Sequence, residues 1–184
     1  MSTGMSLALL SRLTWVGARF EEGWAATILI RCGSGWGEGV IMVRYWLCVT
    51  NQANWRVVKE KLIWGVSERY RRRMEELSPG DLLVFYVRPK RIAGIFKAAS
   101  KPFVDKKRIF SSEGFRADEV FPHRVRLEPV LVPPEPVPFE PLVPKLKFIK
   151  NKAKWTGHLR GAMRPIPEED YELIKSALKA GQES

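Results

Sequence analysis

The chain has 184 residues, 45% of them hydrophobic, with 31 Lys and Arg against 20 Asp and Glu and a formal net charge of +11. This length suits one domain that buries enough surface to fold without disulfide bonds or other cross-links. Two cysteines, Cys32 and Cys48, exclude a disulfide framework and favour a reducing, cytoplasmic location. No apolar run approaches the ~20 residues that span a bilayer, which excludes a transmembrane segment.

Residues 1–41 differ in kind from the rest of the chain. They show no sustained hydrophobic period and contain the run GSGWGEG. Codons for residues 38–41 can spell a ribosome-binding site before Met42, so we expect a non-homologous extension that is disordered or reflects a mis-assigned start. A family-specific N-terminal arm is the alternative. An intact peptide from residues 1–41 in mass spectrometry of the natural protein would contradict a start at Met42.

The positive charge belongs to residues 42–184, because the first 41 residues contain three Arg and three Glu. Excess Lys and Arg favour a polyanionic partner, and nucleic acid is the commonest one for a basic domain of this kind. The alternative is the charged surface of a heat-adapted protein. A heat-adapted surface is rich in both acidic and basic residues, whereas only the basic residues are in excess here. The sequence therefore favours a polyanionic partner.

The stretch from Tyr45 to Val66 predicts a strand followed directly by a helix. Residues 45–50 are aromatic, apolar and β-branched and predict a buried strand. Asn51 is a good N-cap, and Trp55, Val58 and Leu62 share one helical face. Trp64 and Gly65 then predict a turn at the helix exit. Trp64 is either a core residue or a stacking platform, and periodicity favours the core.

Residues 67–100 predict a short helix and a two-stranded hairpin. The helix covers Ser67 to Leu77 and carries the basic cluster Arg69, Arg71, Arg72 and Arg73. Residues 81–88 are almost continuously apolar, as expected of a strand buried on both faces in a small barrel. Residues 92–100 return as its partner. Arg and Lys at the hairpin are either part of a phosphate track or exposed charges without a role.

Residues 121–130 alternate in polarity and predict a half-exposed strand. Val125 and Leu127 are expected inward, and Arg124, Arg126 and Glu128 outward. His123 has no Cys or second His at metal-ligand spacing, so we expect it at the surface or the strand end and predict no metal site. The proline-rich residues 131–144 predict an extended crossover.

The block from Lys152 to Arg164 combines Trp, His, Gly and cations. Glycines let backbone amides approach phosphate, cations hold phosphate, and an aromatic ring can stack on a base. Trp155 is as easily explained by packing. Residues 167–180 predict a closing helix, with acidic residues in the first turn and lysines late.

Several ordered blocks extend from about residue 42 to about residue 178: WLCVTNQANW, WGV, SPGDLLVFYV, GIFKAASKPF, FPHRVRLEP and LVPKLKFIKNKAKWTGHLRGAMRPIPEEDYELI. Together these blocks resemble the archaeal branch of the EVE-domain family. That family belongs to the PUA-like superfamily and is related to the YTH domains, which read methylated adenine in RNA. The resemblance implies an α+β fold, a mixed and mostly antiparallel β-barrel with peripheral helices.

The resemblance also implies a base-binding pocket. The YTH domains have an aromatic cage whose first Trp corresponds to Trp64, with a polar residue corresponding to Asn54 that contacts the base. The later cage positions carry Phe110 and Phe121 instead of Trp, and Phe110 is either the second wall or a plug of the barrel end. The residues expected at the site are Thr50, Asn51, Asn54, Trp64, Gly65, Phe110, Trp155, His158, Arg160 and Arg164.

We therefore expect a nucleic-acid-binding module that recognises a modified, methylated base, with RNA favoured over DNA and a monomer favoured over an oligomer. The alternative is an accessory RNA-binding protein that reads RNA through its basic surface without selecting the modification. An enzyme acting on RNA is the weakest hypothesis, since no nucleophile, paired base or phosphate-cradling Gly loop is evident. No cofactor is predicted.

Overall fold

The computed structural model describes residues 43–113 and 119–182, together with the backbone of three strands nearer the N-terminus. Those strands are β1 (Val16–Phe20), β2 (Gly23–Cys32) and β3 (Gly35–Ile41), and they pair antiparallel in the order β1-β2-β3. They belong to a compact unit of residues 1–43. The origin of residues 1–41 in the natural protein stays a prediction.

Residues 44–184 form the second unit, and the part of it that the structure describes is built on one curled sheet and three helices. Its strands are β4 (Tyr45–Thr50), β5 (Ile63–Val66), β6 (Leu82–Val87), β7 (Arg91–Ala98), β8 (Phe103–Val104), β9 (His123–Leu131), β10 (Val137–Pro138) and β11 (Met163–Ile166). The helices are α1 (Gln52–Lys61), α2 (Arg71–Glu75) and α3 (Glu168–Ala180). Short 3-10 turns cover Glu68–Tyr70, Glu140–Leu142 and Trp155–Leu159.

The main path of the sheet runs β11-β4-β6-β7-β9-β5, with β10 beside β7 and β8 beside β9. Strands β4 and β6 are parallel, and the other pairs of this sheet are antiparallel. The sheet curls into a half-barrel, so the predicted mixed, mostly antiparallel α+β fold is confirmed. In the described part of the chain, no helix combines the length and apolarity needed to cross a bilayer.

The central strands are buried on both faces, as their continuous apolar sequences predict. Successive residues of β4 point to opposite sides, so Trp46 and Cys48 enter one core while Leu47 and Val49 enter another. The first core also holds Trp55 of α1 and Trp64 of β5. The second holds Tyr171, Ile174 and Leu178 of α3 and residues of the proline-rich crossover.

Two details around α1 differ from the predictions. Asn51 caps the helix as predicted, because its Oδ1 accepts from the Asn54 backbone N–H at 2.8 Å. Leu62, however, takes a left-handed backbone conformation that ends the helix, so its side chain is 37% exposed rather than on the inner face. The chain then enters β5 at once. Trp64 and Gly65 consequently lie in a strand paired with β9, and the predicted turn is wrong.

Arg124 of β9 is buried against expectation, and His123 lies at the strand end, as expected, but is buried. Arg124 is only 1% exposed, because its guanidinium donates to Asp105 and to the backbone oxygens of Phe121 and Lys107. A buried charge is tolerated when it is paired and hydrogen-bonded in this way. His123 is 8% exposed, and its Nε2 lies 2.6 Å from a Glu68 carboxylate oxygen. The alternation of the sequence could not reveal either partner.

Candidate functional site

Trp64 lies among aromatic rings rather than in an open pocket. We call Trp64, Phe85, Phe110 and Phe121 the ring cluster. Its side chain is 3% exposed, with ring centroids 5.4 Å from Phe85 and 6.4 Å from Phe110, both edge to face. Its Nε1–H is buried and has no hydrogen-bond acceptor. Buried indole donors normally have a partner. Trp64 therefore brings one unused hydrogen-bond donor to the ring cluster.

Phe110 is the half-buried ring that covers Trp64. Its centroid lies 5.8 Å from that of Phe121, and the Arg124 guanidinium carbon lies 5.6 Å from the Phe110 centroid. Gly65 permits this approach, because a Cβ at position 65 would lie 2.7 Å from Phe110 Cε2. The neighbouring positions 64 and 65 thus provide a large ring and the space for a second ring beside it.

Asn54 and Asn51 hold the backbone of the segment that carries Phe110. The Asn54 amide donates to the Ser111 carbonyl at 3.0 Å and accepts from the Ser111 N–H at 2.7 Å. Asn51 Nδ2 donates to the Glu113 carbonyl at 2.9 Å. Asn54 is buried, and its amide is engaged on both sides. In this conformation the two asparagines fix the position of Phe110 over Trp64.

A cavity of about 330 Å³ opens beside this ring cluster, and we call it the arginine cavity. It is lined by Val49, Ser67, Arg69, Tyr70, Arg88, Glu119, Phe121, Arg160, Gly161 and Ala162. Phe121 belongs to both features, since its ring contacts Phe110 and its side chain is part of the cavity wall. The arginine cavity and the ring cluster are therefore adjacent parts of one region.

The parallel pairing of β4 and β6 builds one side of the arginine cavity. Both strands end at the same edge of the sheet, where the Arg88 backbone N–H donates to the Thr50 carbonyl at 2.9 Å. Thr50 itself is 1% exposed. On the β11 side, the Val49 N–H donates to the Ala162 carbonyl at 2.8 Å and brings Arg160 and Gly161 to the same edge. Clefts at the carboxyl ends of parallel strands are common ligand sites.

A second cavity, of about 340 Å³, adjoins the first through the shared residues Tyr70 and Gly161. Its other lining residues are Arg73, His158, Met163, Arg164 and Pro165. Arg164 Nη1 donates to the His158 carbonyl at 2.8 Å. Burial, and then the charge of Arg73, lower the Arg164 pKa below its usual value. This region therefore concentrates positive charge.

The predicted site residues fall into three places. Asn51, Asn54, Trp64, Gly65 and Phe110 meet around the ring cluster, and Thr50 ends the adjoining strand. Arg160, His158 and Arg164 line the two cavities. Trp155 lies elsewhere, against Phe139 of the second core at a centroid distance of 5.5 Å. Its packing role is evident, and its role at the site stays a prediction.

Other lining residues were outside the predicted site. Tyr70 and Phe121 are absent from that set, and so are Arg69, Arg73 and Arg88. The sequence did signal the arginines, as a basic cluster and as a basic hairpin, but not which of them converge. Among the described residues, no group of three or more His, Cys, Asp and Glu side chains lies together as a metal would require.

The fold and the site define an α+β half-barrel domain with an aromatic cluster beside a basic cavity. Residues 44–177 match the family model described as the EVE domain, and the chain belongs to this family. A UPF0310 protein of Pyrococcus abyssi is 50% identical over 144 residues, which cover 73% of this chain and 99% of that protein. The predicted family is confirmed.

Solved YTH-domain structures share the fold. An RNA complex of the YTH domain-containing protein Mmi1 has a TM-score of 0.54 at 11% identity and covers 73% of this chain and 81% of its own. The YTH domain of Zygosaccharomyces rouxii MRB1, in complex with N6-methyladenosine RNA, has a TM-score of 0.50 at 16% identity. That match covers 75% of this chain and 90% of the MRB1 chain. The predicted relation to YTH domains is confirmed at the level of fold.

Proposed function

We propose that the domain binds single-stranded nucleic acid, RNA in preference to DNA, and is a binding module rather than an enzyme. The observation that carries this proposal is the arginine cavity, in which Arg69, Arg88 and Arg160 surround the half-buried ring of Tyr70 and the wall formed by Phe121. Cations that hold phosphate, interleaved with rings on which bases stack, are the two components of single-strand binding. The net charge of +11 supports the same class of partner.

We further propose that the domain takes one modified, methylated base into the ring cluster beside the arginine cavity. Stacking on an aromatic ring contributes on the order of 1–3 kcal/mol per base. A methyl group would fill apolar space that an unmodified base leaves empty, and the unused Trp64 Nε1–H is available to a base acceptor. The bound N6-methyladenosine RNA of the structurally similar MRB1 domain supports this choice of ligand.

Entry of a base onto Trp64 requires Phe110 to turn away, because Trp64 is 3% exposed with Phe110 against it. The Ser111 backbone would then release the Asn54 amide, which could pair with the base edge as the family resemblance implies. Asn51 and Thr50 lie at the same end of β4 and α1. Phe110 is a wall of the pocket once it has moved.

The test compares Trp64→Phe with Trp55→Phe in the full chain. Both tryptophans are buried against Phe85. Trp64 also contacts Phe110, whereas Trp55 contacts Phe96 and makes no ring contact with Phe110. Binding is measured by fluorescence anisotropy with matched RNA and DNA oligonucleotides, with and without methylated adenine or cytosine, at two salt concentrations. We expect Trp64→Phe to reduce the preference for the modified base several-fold and Trp55→Phe to preserve it.

The second candidate is an accessory RNA-binding domain that reads RNA through its basic surface. Two observations favour it: Trp64 is part of the core, and the Asn54 amide is already paired with Ser111. This candidate predicts affinity that ignores methylation and falls steeply with salt. Equal affinities for modified and unmodified oligonucleotides, unchanged by Trp64→Phe, would establish it and reject the base pocket.

A further inference from the structure

The second cavity presents two arginines without an acidic partner in it. Arg73 is exposed and Arg164 is half-buried, and the remaining lining residues are Tyr70, His158, Gly161, Met163 and Pro165. Among the described residues, neither arginine forms an ion pair. By contrast, Arg71, two positions before Arg73, is paired with Glu75 at 2.8 Å and with Glu68 at 3.9 Å. The second cavity therefore has uncompensated positive charge.

Arg164 is held in place but is not satisfied. One nitrogen, Nη1, donates to the His158 carbonyl, and the guanidinium carbon lies 5.2 Å from the centroid of the Phe148 ring. A second nitrogen, Nε, is buried and has no acceptor. Leaving a buried donor unpaired carries a free-energy cost. An anion with several oxygens at this position would accept from Arg164 and relieve its repulsion with Arg73.

The second cavity is next to the arginine cavity, and this position suggests which anion it takes. Tyr70 and Gly161 line both cavities, so a chain that leaves one cavity past the Tyr70 ring enters the other. Tyr70 thus forms a ridge between the two cavities, and the Arg69 guanidinium carbon lies 5.7 Å from the centroid of its ring. A nucleic-acid strand carries a phosphate at every nucleotide, so a strand bound in the first cavity has a phosphate to place in the second.

We propose that the second cavity is a phosphate subsite, in which Arg73 and Arg164 bind the backbone phosphate of the nucleotide that follows or precedes the one in the arginine cavity. This proposal rests on the proposed nucleic-acid function, but it does not depend on recognition of a modified base. It assigns Arg73 to the bound strand and makes Tyr70 the ridge between two successive phosphates.

The experiment compares Arg73→Gln with Arg72→Gln, which changes the net charge equally on the same short helix. Arg72 is exposed and lines a different hollow, together with Glu68, Arg69, Arg71 and Glu75. Binding of a fluorescent single-stranded RNA is followed over a salt series. We expect Arg73→Gln to weaken binding about tenfold and to reduce the slope of log affinity against log salt by about one. We expect a smaller loss of affinity from Arg72→Gln.

A free methylated nucleoside, which has no phosphate, separates this inference from the proposed base pocket. We expect Arg73→Gln to bind the nucleoside as the unaltered protein does. Equal losses of RNA affinity in the two variants would overturn the phosphate subsite, even if a preference for the modified base remained. A larger loss of RNA affinity in Arg73→Gln than in Arg72→Gln would support the subsite. If neither the unaltered protein nor Arg73→Gln then bound the nucleoside, the base pocket would be rejected.

Discussion

At the scale of single residues, buried polar groups of this domain are placed by partners that lie far away in the sequence. His123 pairs with Glu68 across 55 positions at 2.6 Å. The Asp81 carboxylate accepts from the Arg44 N–H and from Trp46 Nε1, which lie 37 and 35 positions away. Such pairs join elements of the sheet to the segments around it. Their contribution to stability depends on pH where a partner titrates.

Glu68 provides the clearest case of such pH dependence. Its hydrogen bond to His123 lowers the Glu68 pKa below the usual 4.5. A carboxyl with a lowered pKa in the folded state stabilises that state above its unfolded pKa, and this stability is lost as pH falls through the folded pKa. We therefore expect Glu68→Gln to make the free energy of unfolding fall less steeply below about pH 4.5.

The measurement is urea denaturation at a series of acidic pH values. Glu76→Gln is the control, since Glu76 is an exposed carboxyl on the neighbouring turn. A Glu68→Gln variant whose stability follows the same pH dependence as the unaltered protein would show that the pair contributes nothing.

At the scale of elements, the approach of β5 to the Phe110 segment determines the shape of the candidate pocket. Gly65 lies in β5 opposite Arg124 of β9, and Arg124 in turn holds Asp105 and the Lys107 carbonyl. An added Cβ at position 65 would also lie 3.1 Å from the Phe121 carbonyl oxygen. A methyl group there must displace Phe110 or the backbone.

We expect Gly65→Ala to destabilise the domain by about 1–3 kcal/mol, as overpacked cores usually do. In the double variant with Phe110→Ala, the ring that the methyl would strike is gone. The combined loss of stability should therefore be smaller than the sum of the two single losses. Gly157→Ala is the control, because nothing lies within 4 Å of an added Cβ there. Additive losses in denaturation experiments would mean that Gly65 and Phe110 are not in contact.

At the scale of the whole EVE domain, one sheet separates two cores with different tasks. The first core contains Trp64 and borders the candidate site, and the second is closed by α3. The Asp170 carboxylate links α3 to the preceding loop, because it accepts from the backbone N–H groups of Lys147 and Phe148 at 2.7 and 2.8 Å. Burial raises the pKa of Tyr171, on the same helix, to about 12. The residues of α3 thus support the sheet, and none of them lines either cavity.

Truncation of an α3 side chain in the second core should affect stability and leave binding intact. Ile174 is fully buried, so we expect Ile174→Ala to lower the free energy of unfolding by about 2–5 kcal/mol. The exposed Lys179→Ala on the same helix should change it by less than about 0.5 kcal/mol. Urea denaturation and RNA titration of both variants provide the comparison. A loss of RNA affinity in folded Ile174→Ala protein would contradict the separation of the two cores.

Elements whose signals are local could be predicted from the sequence. The apolar run of β6 predicted burial on both faces, the Asn51 cap fixed the start of α1, and the ordered blocks identified the family. Local signals suffice there because hydrophobic period and capping depend on neighbours along the chain. The family resemblance, not a local signal, brought Trp64, Asn54 and Phe110 into one predicted site. The structure places Phe110 against Trp64 and beside Ser111, whose carbonyl accepts from the Asn54 amide.

The contacts of the site residues, by contrast, depend on how distant elements pack against one another. The strand alternation predicts exposure for Arg124, but the side chain is buried in its pairing with Asp105. His123, at the strand end, is likewise buried against Glu68. Likewise, the parallel pairing of β4 with β6 brings Arg88 to the end of the strand that Thr50 closes, a convergence that forms the arginine cavity. Burial of a charge and convergence of cations depend on partners distant in sequence, and no local pattern carries that information.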